Sequence, residues 1–302
     1  MTKLKDKHEY DNKSINSPFR WAGGKFYARK IIEAYIPQHD YYIEPFLGGG
    51  SVFFHKNKVD SWLNDFDNNL VNCYKNIKNN VVELIEYLDG EVATKERHAF
   101  YKNEFQPTNS LEKAARYYYL NRTSYSGIMK EVNCYFGYGD KYSMRPENWG
   151  RQLSKNHKKL QDTKLTSVDF EDIFDNLPTD KNIFIFLDPP YYNADQNKFY
   201  AKSFTLQDHE RLALRLKNLS KKVKFLLTYD NSIEVRELYS WANQVNEHEW
   251  NYVIARTDDQ KLNKKLEDGH SAPREKGKEI FIFNYDLEEL TKQKELDFLN
   301  SK

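Results

Sequence analysis

Short, wholly apolar runs separated by amphipathic stretches organise this chain. Residues 183–187 read IFIFL without one polar side chain, and an apolar run of that length bounded by turn residues predicts a strand buried on both faces. Comparable runs predict strands at 41–43, 61–64, 165–168, 223–228 and 280–284. Helical spacing of apolar residues covers 70–88 and 206–219, a further helix begins over 51–55, and 111–120 opens a segment of rings and cations. Strands that alternate with helices argue for an α/β fold with a mostly parallel sheet. The polar stretch 256–278, ahead of the last strand, predicts a mobile surface loop.

At 302 residues the chain is long enough for a large core. Its hydrophobic fraction is 39% and its mean hydropathy −0.87, yet 22 Tyr, 19 Phe and 5 Trp supply aromatic bulk, which marks a polar globular protein rather than a disordered one. A net charge of +1 gives no global sign of a nucleic-acid partner, so any basic face must be local. Between Leu111 and Leu160 ten Lys and Arg face four acids, an excess of six, and rings are interleaved throughout, including three consecutive tyrosines from Tyr117 to Tyr119. Cations hold phosphates and rings stack on bases or fill gaps, so this window is the candidate nucleic-acid face. Cys73 and Cys134 are far apart in sequence and no Cys/His cluster suggests a metal. The first 16 residues are charged and lack an apolar core segment, which predicts a flexible leader. No stretch approaches the ~20 apolar residues of a membrane span, and the expectation is a cytoplasmic protein.

Candidate chemistry gathers where predicted strands end. FLDPPYY places Asp188 and Tyr191 just past the strand 183–187, and ligands of open α/β sheets bind outside the carboxyl ends of strands. Pro189 and Pro190 fix φ and withdraw two donors, so the turn is stiff and its carbonyls stay free. EPFLGGGS, from Glu44 to Ser51, is a glycine-rich strand-to-helix turn that lets a bound group approach the backbone. Glu44 adds an acid able to accept from an ammonium group. Asp65 follows the second strand, where nucleotide-binding α/β folds place an acid against ribose hydroxyls, while Asp67 is the expected cap of the next helix. SPFRWAGGK, from Ser17 to Lys25, supplies a ring, a flexible Gly-Gly and a cation ahead of the first strand, suited to fold over a cofactor with Trp21 packing and Lys25 anchoring.

In order, FRWAGGK, EPFLGGGSVFF, NDFDNNLV, YYYLNRTSYSGI, SVDFEDIF and FLDPPYY make a sequence that resembles the Dam-type DNA N6-adenine methyltransferases of the alpha motif order, from about Ser17 to Tyr285. The resemblance implies a Rossmann-like methyltransferase sheet over 17–74 and 161–302, with a smaller, largely helical DNA-recognition domain inserted at 75–160. It implies S-adenosyl-L-methionine as cofactor, held by Trp21, Lys25, Glu44, Pro45, Phe46, Gly48, Gly50, Asp65, Asp169, Phe170 and Asp188. Asp188, Pro189, Pro190 and Tyr191 match the catalytic tetrapeptide. The implied partner is double-stranded DNA, with Arg116, Asn121, Arg122, Tyr125, Ser126, Lys130, Tyr138 and Arg145 as candidate contacts. Arg122 and Arg145 suit phosphate better than bases, because backbone contacts outnumber base contacts. The segment NRTSYSGI followed by YFGYGDKY only partly matches the pattern of family members that read GATC, so that target site does not transfer to this chain.

An adenine amine is a poor nucleophile because its lone pair is delocalised into the ring. Two acceptors, the Asp188 carboxylate and the Pro189 carbonyl, each taking one N6 hydrogen, favour a tetrahedral nitrogen, and Tyr191 would stack on the flipped base. Cytosine N4 needs the same pair of acceptors and is the alternative within the class. A catalytically silent DNA-binding relative and an RNA methyltransferase are the alternatives outside it.

Overall fold

The computed structural model describes residues 14–139, 143–193, 204–251 and 276–300. Its strands are β1 (Tyr41–Glu44), β2 (Asp60–Asn64), β3 (Thr163–Thr166), β4 (Ile183–Leu187), β5 (Lys224–Asp230), β6 (Gln244–Asn251) and β7 (Lys276–Phe283). They form one seven-stranded sheet in the order β3-β2-β1-β4-β5-β7-β6. From β3 through β5 all neighbours are parallel, and β7 runs antiparallel to both β5 and β6. This mixed α/β architecture is consistent with a class I methyltransferase fold.

Alternation along the central strands divides the core in two. Ile183, Ile185 and Leu187 face one side with Ile43, Trp62, Phe225 and Leu227, where α8 (Phe170–Asp175), α9 (Leu206–Leu219) and α10 (Ile233–Leu238) contribute Phe170, Ile173, Leu212, Leu216 and Val235. Phe184 and Phe186 face the other with Tyr42, Leu63, Phe281 and Phe283. All five β4 side chains are buried, each contributing roughly 2 kcal/mol. On the second face sit α1 (Arg29–Tyr35), α2 (Ser51–His55) and α3 (Asn68–Asn79), and its core runs on through α4 (Val81–Leu88), α6 (Ser110–Thr123) and α7 (Trp149–Leu160), by way of Tyr74, Leu84, Tyr118, Trp149 and Leu153. A short α5 (Lys95–Ala99) precedes α6, and α11 (Leu287–Asn300) closes the described chain. The inserted segment thus shares one continuous core with the sheet, and the expected boundary at 74/75 falls inside α3.

Several boundaries differ from the sequence reading for identifiable reasons. The helical stretch 70–88 is two helices, because Asn80 (φ −131°, ψ 39°) leaves the helical region between α3 and α4. Asp67 caps α3 as expected, accepting from the Asn69 and Leu70 amides at 2.8 and 3.3 Å. The strand expected at 165–168 lies at 163–166, in register with β2. β6, with the polar sequence QVNEHEWN, was not anticipated; an edge strand has one ladder partner and needs no apolar run. The expected loop 256–278 lies outside the described residues up to 275, and 276–278 belong to β7. Of the expected leader, 1–13 lie outside the described residues, whereas 14–16 are tied down: the Ile15 amide donates to the Phe54 carbonyl at 3.0 Å, and Gln152 and Asn156 donate to the Asn16 carbonyl at 2.7 and 2.9 Å. No helix among the described residues is long and apolar enough to cross a membrane.

Candidate active site

The strand order changes direction between β1 and β4, because β2 and β3 lie on one side of β1 and β4 and β5 on the other. At such a switch point the loops leaving adjacent strands diverge and open a crevice. The glycine loop after β1 and the DPPY turn after β4 meet there. Asp188 is fastened from β5, whose Thr228 hydroxyl donates to its Oδ1 at 2.8 Å. The next turn is fastened from the same strand end: Asp230 accepts from the Tyr192 amide at 2.8 Å and from Asn193 Nδ2 at 3.3 Å. Among the described residues no donor occupies the Pro189 carbonyl.

Lys25 reaches into this turn from the opposite wall. Its buried ammonium donates to Asp188 Oδ1 at 2.6 Å, to the Tyr191 hydroxyl at 2.8 Å and to the Gly23 carbonyl at 3.3 Å. Glu279 of β7 stands 3.7 Å away and is itself 1% exposed. The cation expected to anchor a cofactor is therefore seated against the carboxylate and the ring hydroxyl of the DPPY turn.

The glycine loop is pinned from three directions. Asp65 Oδ2 accepts from the Gly48 amide at 2.7 Å, its Oδ1 accepts from the Asp67 amide at 2.9 Å, and the Tyr74 hydroxyl donates to the Gly48 carbonyl at 3.0 Å. Burial, offset by those amides, pushes the Asp65 carboxyl up to about 6. Trp21 lies directly on the loop: a Cβ at Gly48, whose φ is +47°, would meet its indole nitrogen at 2.6 Å. Gly50 is also left-handed, at φ +67°. Beside this loop the Phe46 ring meets Phe170 at 5.9 Å and Phe204 at 5.6 Å, making an apolar wall. Asp169 caps α8 through the Glu171 amide and takes both ends of the Arg211 guanidinium at 3.1 and 3.2 Å, which spans Asp208 and Glu171 as well. Pro45 is buried and its carbonyl accepts from Asn64 Nδ2 at 3.0 Å.

Glu44 sits beneath the site, 2% exposed, and accepts from the Tyr42 hydroxyl at 2.7 Å. Burial pushes its carboxyl from 4.5 up to about 8, opposed by the Tyr42 hydrogen bond and reinforced by the nearby charge of Asp188. Because the folded state holds this proton where the unfolded state has lost it, the contribution to stability is largest below 4.5 and is lost as pH rises toward 8. Each pH unit in that window removes at most ~1.4 kcal/mol through this group. Glu44→Gln is expected to have a flatter melting temperature between pH 5 and 8 than the wild type; identical pH slopes for the two proteins would refute the assignment.

The basic insert is rearranged relative to the sequence expectation. Arg116 donates to the Tyr101 and Lys102 carbonyls at 2.7 and 2.8 Å. Asn121 is fully buried, accepting from the Arg20 amide at 2.9 Å and donating to the Arg20 and Gly127 carbonyls at 2.9 and 3.1 Å. Both were expected at a DNA face; Asn121 is spent on buried backbone groups, while Arg116 is half-buried with its guanidinium on two backbone carbonyls. Arg122 is 6% exposed and Lys159 3%, so the charge excess of this window is not wholly a surface property. The three consecutive tyrosines are interior: Tyr119 stacks on Tyr101 at 4.3 Å, and Tyr118 and Tyr119 meet Trp149 edge-on. Arg145 is exposed, and Tyr125, Ser126, Lys130 and Tyr138 are half-buried. Ser126 adopts φ 51°, a turn conformation that a side chain seldom holds. Cys73 and Cys134 are both free and buried, and no metal-binding group of His, Cys, Asp or Glu occurs among the described residues.

Three residues of the site escaped the sequence reading. Thr228 and Asp230 close β5 with the pattern TYD, an acid at a strand end like that of Asp188, and Glu279 is an acid at the head of the apolar run IFIF. A charge abutting a buried strand was the available signal.

The sequence is similar to those of known methyltransferases. The chain is 32% identical over 232 residues to the type II methyltransferase M.CviBI of Paramecium bursaria Chlorella virus NC1A, covering 73% of this chain and 85% of that one. It is 29% identical over 253 residues to the type II methyltransferase M.MjaIII of Methanocaldococcus jannaschii, covering 72% and 85%. To the DNA adenine methylase of Haemophilus influenzae it is 28% identical over 244 residues, covering 74% and 83%. The family pattern for D12 class N6 adenine-specific DNA methyltransferases matches residues 21–255, spanning the Trp21 strap, the glycine loop, the insert and the DPPY turn, and the chain belongs to that family.

Proposed function

We propose that the protein transfers a methyl group from S-adenosyl-L-methionine to N6 of an adenine flipped out of duplex DNA, with the Asp188 carboxylate and the Pro189 carbonyl as the two acceptors of the target amine. The observation that carries this reading is the strand-end turn itself, a carboxylate held from β5 beside a carbonyl to which no described residue donates. Each acceptor takes one N6 hydrogen, which localises the nitrogen lone pair and aims it away from the turn. The rate gain comes from positioning and electrostatics, and no covalent intermediate on the protein is required. The proton that the methylated nitrogen must lose leaves along its hydrogen bond to Asp188. With the turn at the carboxyl end of the sheet, a base within a duplex would reach it only by leaving the stack, and the Tyr191 ring would cover it.

The glycine loop suits the proposed cofactor. Gly48 admits no side chain beneath Trp21, and the Phe46, Phe170 and Phe204 rings line an apolar wall beside it. Trp21, Glu44, Pro45, Phe46, Gly48, Gly50, Asp65, Asp169 and Phe170 would hold it, and when bound it supplies an electrophilic methyl group on a sulfonium. Lys25 and Asp188 close the site between cofactor and base. Lys130, Tyr138 and Arg145, with Tyr125 and Ser126, form the proposed DNA-facing part of the insert, and the protein acts in the cytoplasm, with its DNA. The test is nucleoside mass analysis of duplex DNA incubated with the protein and the cofactor, together with single-molecule sequencing of DNA from expressing cells. N6-methyladenine at one short site is the expected result. Methylated cytosine without methylated adenine, or transfer to RNA in preference to duplex DNA, would overturn the reading.

A further inference from the structure

The last three residues of β5 each hold a different part of the DPPY turn. The Thr228 hydroxyl donates to Asp188 Oδ1 at 2.8 Å and so fixes the carboxylate, while Asp230 accepts from the Tyr192 amide at 2.8 Å and fixes the backbone. Between them Tyr229 lies against the Tyr191 ring, with the centroids 6.1 Å apart and the planes 34° from parallel. A ring can set the angle of another ring only where it is itself held. Tyr229 is fully buried, and its hydroxyl is hydrogen-bonded to Nδ1 of His209 on α9, a residue 2% exposed. The imidazole packs on the turn as well, 5.0 Å from the Tyr192 ring, and edge-on at 4.8 Å against Phe204, the ring that continues the apolar wall from Phe46. Burial pushes this imidazole down to about 4, so near neutral pH it is an uncharged hydrogen-bond partner. Tyr229 shares its core with Leu212, Leu227 and Val235, where phenylalanine would pack equally well without a polar group to satisfy. What the polar pair adds is direction.

Resting on the reading of Tyr191 as the ring that covers the flipped base, we propose that His209 is a positioning residue for methyl transfer: its hydrogen bond to the Tyr229 hydroxyl fixes the ring against which Tyr191 is set. With Tyr229 held, Tyr191 meets the base at one angle, and the target amine reaches Asp188 and Pro189 in the geometry that transfer needs. With Tyr229 released, the base still enters but is held loosely. The chemical step slows and binding does not.

The test uses the full-length protein and a duplex carrying the site identified by sequencing, and follows single-turnover methyl transfer, cofactor KM, DNA affinity by anisotropy and Tm. Tyr229→Phe deletes the hydroxyl, and His209→Phe deletes the imidazole nitrogens while keeping a ring against Tyr192 and Phe204. Each is expected to slow single-turnover transfer by about tenfold, with cofactor KM and DNA affinity within about threefold of wild type. Each is also expected to lower Tm, because one buried polar partner is left unpaired. The double variant makes both partners apolar, so it is expected to recover most of the Tm while remaining about tenfold slow rather than about a hundredfold, since the two residues act as one unit. A pair that merely supported the fold would regain its activity together with its Tm. Wild-type transfer in Tyr229→Phe overturns the proposal. So does a double variant that regains wild-type transfer, or one in which the two losses multiply. If His209→Phe does not fold, alone or in the double variant, Tyr229→Phe decides by its rate. A wild type that methylates adenine no faster than Tyr229→Phe refutes this inference alone, whereas a wild type that transfers no methyl group to adenine refutes the proposed function and this inference with it.

Discussion

Asp188→Ala is expected to lower methyl transfer by about 10³-fold while leaving DNA affinity within about threefold of wild type. The carboxylate is one of two acceptors on the turn, and without it the amine keeps a hydrogen in water-like geometry and its lone pair stays in the ring. The fold tolerates the loss. Lys25 retains the Tyr191 hydroxyl, the Gly23 carbonyl and Glu279, and the Asp230 contacts that fasten the following residues do not involve Asp188. Asp188→Asn keeps one acceptor oxygen in nearly the same place and is expected to fall between alanine and wild type. Radiolabelled methyl incorporation under single-turnover conditions reads the chemical step, and anisotropy reads DNA binding. An alanine variant that keeps more than about a tenth of wild-type transfer would remove Asp188 from the mechanism.

Gly127→Ala is expected to be the most damaging single methyl addition, costing ~3 kcal/mol or more, equivalent to a fall of several degrees in Tm. Two terms add. The residue holds φ +73°, and a Cβ there would stand 2.3 Å from the Arg20 carbonyl oxygen and 2.7 Å from its carbonyl carbon, both backbone atoms that cannot rotate away. Asn121 stitches the same two segments together through the Arg20 amide and carbonyl and the Gly127 carbonyl. Separating them displaces the strap that carries Trp21 and Lys25, so cofactor-dependent activity is expected to fall with stability. Gly90→Ala is the control for backbone strain alone, since Gly90 shares the left-handed conformation at φ +72° but has open space around its Cβ position; it is expected to cost ~1 kcal/mol. Gly139→Ala, with nothing nearby and an ordinary φ, is expected to stay within ~0.5 kcal/mol of wild type. Equal thermal shifts for Gly127→Ala and Gly90→Ala would show that the contact with Arg20 carries no weight.

These two sites differ in how visible they are in the chain. Asp188 announces itself, because an acid and two prolines directly after five apolar residues have few structural uses. Gly127 stands in a run of Ser, Tyr and Ile, and its partner, Arg20, lies more than a hundred residues away. The same contrast separates Asn121 from Arg145. Both are polar residues in a basic segment, yet Asn121 is spent on the backbone of Arg20 and Gly127 while Arg145 reaches solvent. Composition treats them alike, since it records residue type and not which side of α6, or of the chain beyond it, a side chain leaves.

Sequence alone determined the elements whose cause is local. The apolar run of β4, the cap at Asp67 and the glycine-rich turn after β1 each follow from the residues within one turn or strand. The order of the motifs carried the family, because covalent spacing is all that such a comparison needs. Tertiary structure decided what depends on partners distant in the chain: that the tyrosines 117–119 fill a core, that edge strand β6 exists without an apolar run, and that Lys25 meets Asp188 across 163 positions with Glu279 behind it. A side chain's type sets what it can bind, and the fold alone sets which partner comes within about 3 Å, where hydrogen bonds form.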